Sequence, residues 1–281
     1  MGTRLRWYRL ALALVGITLS TAVALAPSAQ SLLTPEWDLE AAQPREDCGD
    51  VLFLGARGSG QAAGGASADA GTGMGPQVYA AYQRMASDRP DRTITPRAVV
   101  YPAQEVQALA LDSAAYFAGL EQGVRDVKRT LRSEALRCPD QRLVLAGYSQ
   151  GAMVMHRALQ DLSSAKDPAA VDILARLDGA LLLADGDRIA KDRTTNYGSA
   201  GRSQGISYEV GQQSRARGTR LPRKVANRVQ SICEQADTVC DFHSIFQSDS
   251  AGVDGVTVHV NSYTGTPDVL RATDVVAARL R

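Results

Sequence analysis

Leu143-Val144-Leu145-Ala146-Gly147-Tyr148-Ser149-Gln150-Gly151-Ala152 is the stretch whose reading decides the fold. An apolar run stops at one glycine, and a helix-like run, residues 152–159, starts after a second. The pattern is a buried strand, a tight turn and a helix, with serine at the apex of the turn. Both glycines have a physical reason. A Cβ at either would crowd the neighbouring strand and helix, and its absence lets the serine hold a strained backbone. The helix N-terminus aims N–H groups at the serine and favours negative charge developing there. G-x-S-x-G alone arises by chance in about one chain in ten of this size. The strand before it and the helix after it make it a nucleophile elbow.

The same alternation extends outward. Residues 51–54, 98–101, 143–146, 180–184 and 229–233 read as short apolar strands. Residues 76–85, 112–136, 151–162, 171–177 and 267–280 read as helices. Strands alternating with helices predict an α/β fold with a parallel sheet covered on both faces. Two stretches break the rhythm. Residues 60–75 are rich in Gly and Ala and read as a mobile loop. Residues 185–228 are long and polar, with Arg215, Arg217, Arg220, Arg223, Lys224 and Arg228 in the second half. A structureless segment of that length is usually functional or disordered. Two readings stand: a solvated connection, or a mobile flap at the carboxyl edge of the sheet whose basic half meets an anionic envelope or membrane surface.

The 281 residues are 44% hydrophobic and 22% charged with net charge +1, an ordinary balance for one sizeable core. Nothing in that balance points to nucleic acid, and no P-loop or zinc-ligand spacing occurs; no cofactor or metal is expected. Arg4, Arg6 and Arg9 precede a 17-residue apolar run, residues 10–26, with small residues after it. Residues 1–29 therefore read as a secretory signal peptide. Pro27 is unfavourable as a first mature residue after Ala24-Leu25-Ala26, so retention as an anchor is the alternative. Residues 30–46 read as a linker and 47–281 as the folded domain. A secreted or envelope-associated monomer is expected. The cysteines, Cys48, Cys138, Cys233 and Cys240, are even in number, as disulfides in an exported chain require. Three pairings are open from spacing alone.

A serine becomes a nucleophile when a base takes its proton, and the base needs an orienting carboxylate. The chain has three histidines. His156 follows Ser149 on the same helix, cannot fold back onto its hydroxyl and reads as structural. His259 lies beyond the last strand and is the expected base, with His243 as rival. Asp237, after the last strand and between Cys233 and Cys240, is the expected acid, in the chain order Ser, Asp, His of this fold class. The oxyanion needs donors aimed at it. The N–H of Gln150 is one; Ser59, in the loop after the first strand, is the other.

At this point the chain resembles the cutinase family of serine esterases, including its actinobacterial cell-envelope branch. The resemblance rests on Cys48, Ala56-Arg57-Gly58-Ser59, Tyr101-Pro102-Ala103, Cys138-Pro139, the elbow, Ser231-Ile232-Cys233, residues 237–240, and His259 with Tyr263. It implies a small α/β hydrolase with a five-stranded parallel sheet. It implies Ser149 as nucleophile, Asp237 as acid, His259 as base, Ser59 and Gln150 for the oxyanion, and disulfides Cys48–Cys138 and Cys233–Cys240. Ala236 departs from the glycine that usually precedes the family's acid. The expected activity is hydrolysis of short- to medium-chain acyl esters or envelope lipids through an acyl-enzyme. The alternatives are an envelope acyltransferase and an inactive lipid-binding envelope protein.

Overall fold

The structure, a computed structural model, describes residues 48–64, 71–208, 220–242 and 254–280. The leader-like residues 1–29, the linker, Arg215, Arg217 and His243 lie outside the described residues.

Six strands form one sheet: β1 (Val51–Ala56), β2 (Ile94–Ala98), β3 (Arg142–Tyr148), β4 (Leu177–Leu183), β5 (Thr195–Tyr197) and β6 (Val229–Ile232). Their order is β2-β1-β3-β4-β6-β5, and every neighbouring pair is parallel. The helices between them include α1 (Pro76–Asp88), α2 (Gln107–Leu111), α3 (Ser113–Arg137), α4 (Gln150–Ser164), α5 (Pro168–Arg176), α6 (Arg223–Ala226), α7 (Gly255–Asn261) and α8 (Pro267–Ala277).

Successive strand side chains point to opposite faces, so a sheet covered on both sides needs apolar residues at nearly every position. In β1, Leu52 and Leu54 join the core under α3, α4 and α5, and Val51 and Phe53 join the core under α1 and α8. β3 divides in the same way, with Leu143 and Leu145 on the first face and Val144 and Ala146 on the second. The chain leaves β1 toward β2 on one side and returns to β3 on the other. The crevice above this switch point is where an open α/β sheet binds ligands. Cys48–Cys138, with a Cα separation of 5.7 Å, ties the chain just before β1 to the end of α3.

Three expectations need correction. The second strand is Ile94–Ala98, not 98–101. Pro96 sits inside it, opposite Phe53. Proline is tolerated because β2 is an edge strand, paired on one side only. Second, the sheet has six strands where five were expected. The extra strand, β5, is three half-exposed residues without apolar alternation. Third, the segment between β4 and β6 does not begin and end at one edge. It leaves the carboxyl end of β4 and enters the amino end of β6, because those strands are parallel. Asp185, Asp187, Arg188, Ile189 and Ser207 are buried, so the described half is packed. Arg220, Arg223, Lys224 and Arg228 lie just before β6, at the amino edge and remote from the Ser149 turn. They cannot flank the mouth of a site at the carboxyl edge.

The described ends of the 60–75 stretch are also held: the Gly60 N–H donates to Ala103 O at 2.8 Å, and Met74 is fully buried. Among the described residues, no helix is long and apolar enough to cross a membrane.

Candidate active site

β3 runs into the turn and α4 leaves it, with Ser149 as the N-cap at φ 55°, ψ −119°. A non-glycine residue there stores about 1–3 kcal/mol of backbone strain. The surroundings hold it in place. The Ser149 N–H donates to Leu183 O at 2.8 Å, and its carbonyl accepts from the Met153 N–H at 3.1 Å. The two glycines are as constrained as the sequence suggests. A Cβ on Gly147 would lie 2.3 Å from Gly151 O, and one on Gly151 2.2 Å from Ala56 O.

His259 comes from α7, whose first turn is capped by Asp254: its carboxylate accepts from the Val256 N–H at 3.0 Å and the Thr257 hydroxyl at 2.7 Å. The imidazole Nε2 is 2.9 Å from Ser149 Oγ, and Nδ1 is 2.9 Å from Asp237 Oδ2. Tyr148, the residue before the serine, stacks on the imidazole with centroids 5.1 Å apart, and its hydroxyl donates to the His259 carbonyl at 2.8 Å. Elbow and histidine are thus fastened to each other by a second contact besides the serine itself.

Asp237 is fully buried. It accepts hydrogen bonds from the Val239 N–H at 2.7 Å, the Cys240 N–H at 3.1 Å and the Tyr263 hydroxyl at 2.7 Å. Burial pushes the carboxyl pKa up, but the bond and charge of His259, with Tyr263 and Val239, outweigh it and hold the pKa below the usual range. Asp237 therefore stays ionised beside Nδ1. The loop that carries it is closed by Cys233–Cys240, with a Cα separation of 5.9 Å. Ala236, in place of the expected glycine, occupies the left-handed region at φ 66°.

The first-strand loop faces the same crevice. Ser59 Oγ lies 2.8 Å from the Tyr116 hydroxyl of α3. The loop is pinned by buried Arg57, whose Nε donates to Gln61 O at 2.8 Å and whose guanidinium sits over the Tyr101 ring. The Tyr101 hydroxyl donates back to Arg57 O. Gln150 is the first residue of α4, where the N–H has no partner within the helix. A cavity of about 440 Å³ joins these elements, bringing Ser59, Ser149 and His259 together with aliphatic and aromatic walls that include Phe117, Met153, Ile206 and Val260.

The structure therefore brings Ser59, Ser149, Gln150, Asp237 and His259 to one place, and forms both implied disulfides. His156 is elsewhere: two turns along α4 from Ser149, its Nδ1 is 2.5 Å from Asp185 Oδ2, and it is buried. His243 lies outside the described residues. Sequence reasoning assigned no role to Tyr263, which holds Asp237, or to Tyr116, which meets Ser59. Tyr263 was visible as one of the quoted pieces; Tyr116 sits at helical spacing in α3 and looks like any core aromatic.

The sequence model of the cutinase family matches residues 47–263, a span that contains every residue of this site. A cutinase of Trichoderma harzianum is 30% identical over 151 residues, which are 54% of this chain and 54% of the relative. A cutinase of Coprinopsis cinerea is 32% identical over 168 residues, 60% of this chain and 71% of the relative. The chain thus spans about half the length of the first relative and more of the second. A cutinase-like protein from Cryptococcus sp. superposes with a TM-score of 0.61 over 84% of this chain and 98% of that one. At 18% identity that likeness speaks for the fold alone. With the match spanning residues 47–263, well over half of its length, the chain belongs to the cutinase family.

Proposed function

We propose that this chain is a secreted serine carboxylic-ester hydrolase that works through an acyl-enzyme on short- to medium-chain acyl esters or cell-envelope lipids. The observation that carries the reading is the continuous relay Ser149 Oγ, His259 Nε2, His259 Nδ1, Asp237, with 2.9 Å at both steps. In this reading Ser149 Oγ attacks the ester carbonyl carbon and its proton passes to His259 Nε2. Asp237 holds the Nδ1 tautomer and stabilises the imidazolium. The tetrahedral oxyanion is met by Ser59 and by the Gln150 N–H at the positive end of α4. Collapse expels the alcohol, which takes the proton from His259. Water then attacks the acyl-enzyme with His259 as base, and Ser149 is regenerated.

The apolar walls of the cavity support an acyl chain as the group bound beside Ser149. Two disulfides and the leader-like N-terminus support export. Membership of a family whose relatives are named cutinases supports the ester as the reacting bond. The test is covalent labelling. A fluorophosphonate should form one adduct, on Ser149, when mapped by mass spectrometry of the folded chain. An adduct elsewhere, or none, would sink the reading. A panel of p-nitrophenyl esters of increasing chain length, with envelope lipid extracts, then sets the acyl preference.

A further inference from the structure

α4 carries Ser149 at its start and, two turns later, two cationic side chains that the mechanism does not use. His156 faces Asp185 at 2.5 Å. Arg157 makes a two-pronged ion pair with Asp187, at 2.6 Å and 3.0 Å. All four side chains are at most 2% exposed. Buried ion pairs are poor net stabilisers because desolvation offsets their attraction, but they tolerate little change in geometry. What they fix here is the start of the segment that follows β4.

That start is bound to a second strap, residues 203–206. The Gly205 N–H donates to Arg188 O at 3.0 Å, and the Ser207 N–H donates to Gly186 O at 3.0 Å. The approach is so close that a Cβ on Gly205 would sit 2.3 Å from Gly186 O. The strap then reaches the loop that carries Asp237 by three bonds. The Ile206 N–H donates to Val239 O at 2.8 Å, and the Phe242 N–H to Gln204 O at 3.1 Å. The Ser203 hydroxyl donates to Cys240 O at 2.9 Å. Val239 and Cys240 are the residues whose N–H groups hold the Asp237 carboxylate.

We propose that the buried His156–Asp185 and Arg157–Asp187 pairs are a positioning network for Asp237, acting through the 203–206 strap. The serine helix and the acid loop are then joined twice, once through His259 and once from behind. The network sets how far Asp237 stands from His259 Nδ1 relative to Ser149, and it touches no substrate. This rests on the esterase reading above. An error of about 1 Å in such a relay costs on the order of a hundredfold in rate.

The test is a double-mutant cycle on the full chain. His156→Gln and Gly205→Ala are made alone and in an Asp237→Asn background. Gly205→Ala removes no member of either ion pair and wedges the strap away from Asp185 and Gly186, so it decides the matter if His156→Gln does not fold. Hydrolysis of a p-nitrophenyl ester and the rate of fluorophosphonate labelling are measured together. Each single change should lower kcat by about tenfold to a hundredfold with KM within about twofold. In the Asp237→Asn background the same change should cost less than about threefold, because the group being positioned is gone. Equal losses in both backgrounds, or folded variants with full kcat, would overturn the proposal and leave the network a packing feature. Absence of labelling in the parent chain would instead sink the esterase reading itself, a result distinct from either.

Discussion

Two His–Asp pairs stand along α4, one at its start against Ser149 and the other two turns further on. His259 and Asp237 are 2.9 Å apart, and the free Nε2 of His259 meets Ser149 Oγ at the wall of a cavity. His156 and Asp185 are 2.5 Å apart, with Arg157, Asp187 and Asp192 around them. Burial pushes the His156 pKa down, but the charge and bond of Asp185 and the charges of Asp187 and Asp192 raise it to about 9. At neutral pH His156 therefore already carries its second proton and has no lone pair to accept one. Pairing with a carboxylate does not by itself make a histidine a base. A base needs a lone pair at the nitrogen that faces the reacting hydroxyl.

The sharpest way to break that contrast is to exchange the two histidines' fates. His259→Gln and Ser149→Ala should each lower kcat/KM by about three to six orders of magnitude, with little change in thermal stability. His156→Gln should cost about two orders at most. A His259→Gln enzyme with near-parental turnover would transfer the base to another residue, His243 first.

The two disulfides separate stability from activity along the same axis. In the chain-entropy model, closing the 90-residue interval of Cys48–Cys138 is worth about 4.6 kcal/mol and the 7-residue interval of Cys233–Cys240 about 2.4 kcal/mol. Replacing the first pair by serine should mainly lower the denaturation midpoint. Replacing the second, which holds Asp237, should cut kcat about tenfold or more at temperatures where the protein is still folded. Full activity in the Cys233→Ser/Cys240→Ser variant would uncouple that loop from the relay.

The pH dependence of stability distinguishes the pairs with opposite signs. His156 has its folded pKa raised, so its contribution is complete below the unfolded value near 6.5 and is lost as pH rises through about 9. The loss is about 3 kcal/mol at most. Asp237 has its folded pKa depressed, so its contribution is present above the unfolded value near 3.9 and is lost as pH falls through the folded one. Chemical denaturation of the parent and of His156→Gln at pH 6.5 and 9.5 checks this. The parent should lose more stability than the variant between those pH values, and parallel losses would remove His156 as the titrating group.

The smallest effect belongs to Ala236. Its φ of 66° is strained for alanine, while glycine would be freer in the unfolded chain. Ala236→Gly should change stability by less than about 1 kcal/mol and leave kcat within about twofold. A larger drop in kcat would show that the stiffer residue helps hold Asp237.

Much of this was legible before any coordinates. The elbow was, because Gly147 and Gly151 are steric necessities written as residue types, and the alternation of apolar runs was, because parallel strands buried on both faces need them. The edge strands were not. β2 hides behind Pro96, which signals a break unless the strand is known to pair on one side only. β5 owes its three residues to pairing with β6 and to no pattern of its own.

By itself the sequence determined the fold class, the order of serine, acid and histidine, and the residues able to serve in those roles, because these depend on local pattern and residue chemistry. Tertiary structure alone decided which carboxylates His156 and His259 meet, where the described parts of the 185–228 segment run, and that Arg220, Arg223, Lys224 and Arg228 stand at the opposite edge from Ser149. Those are set by contacts between positions 22 to 110 residues apart, through strand direction and burial, and no window of sequence contains them.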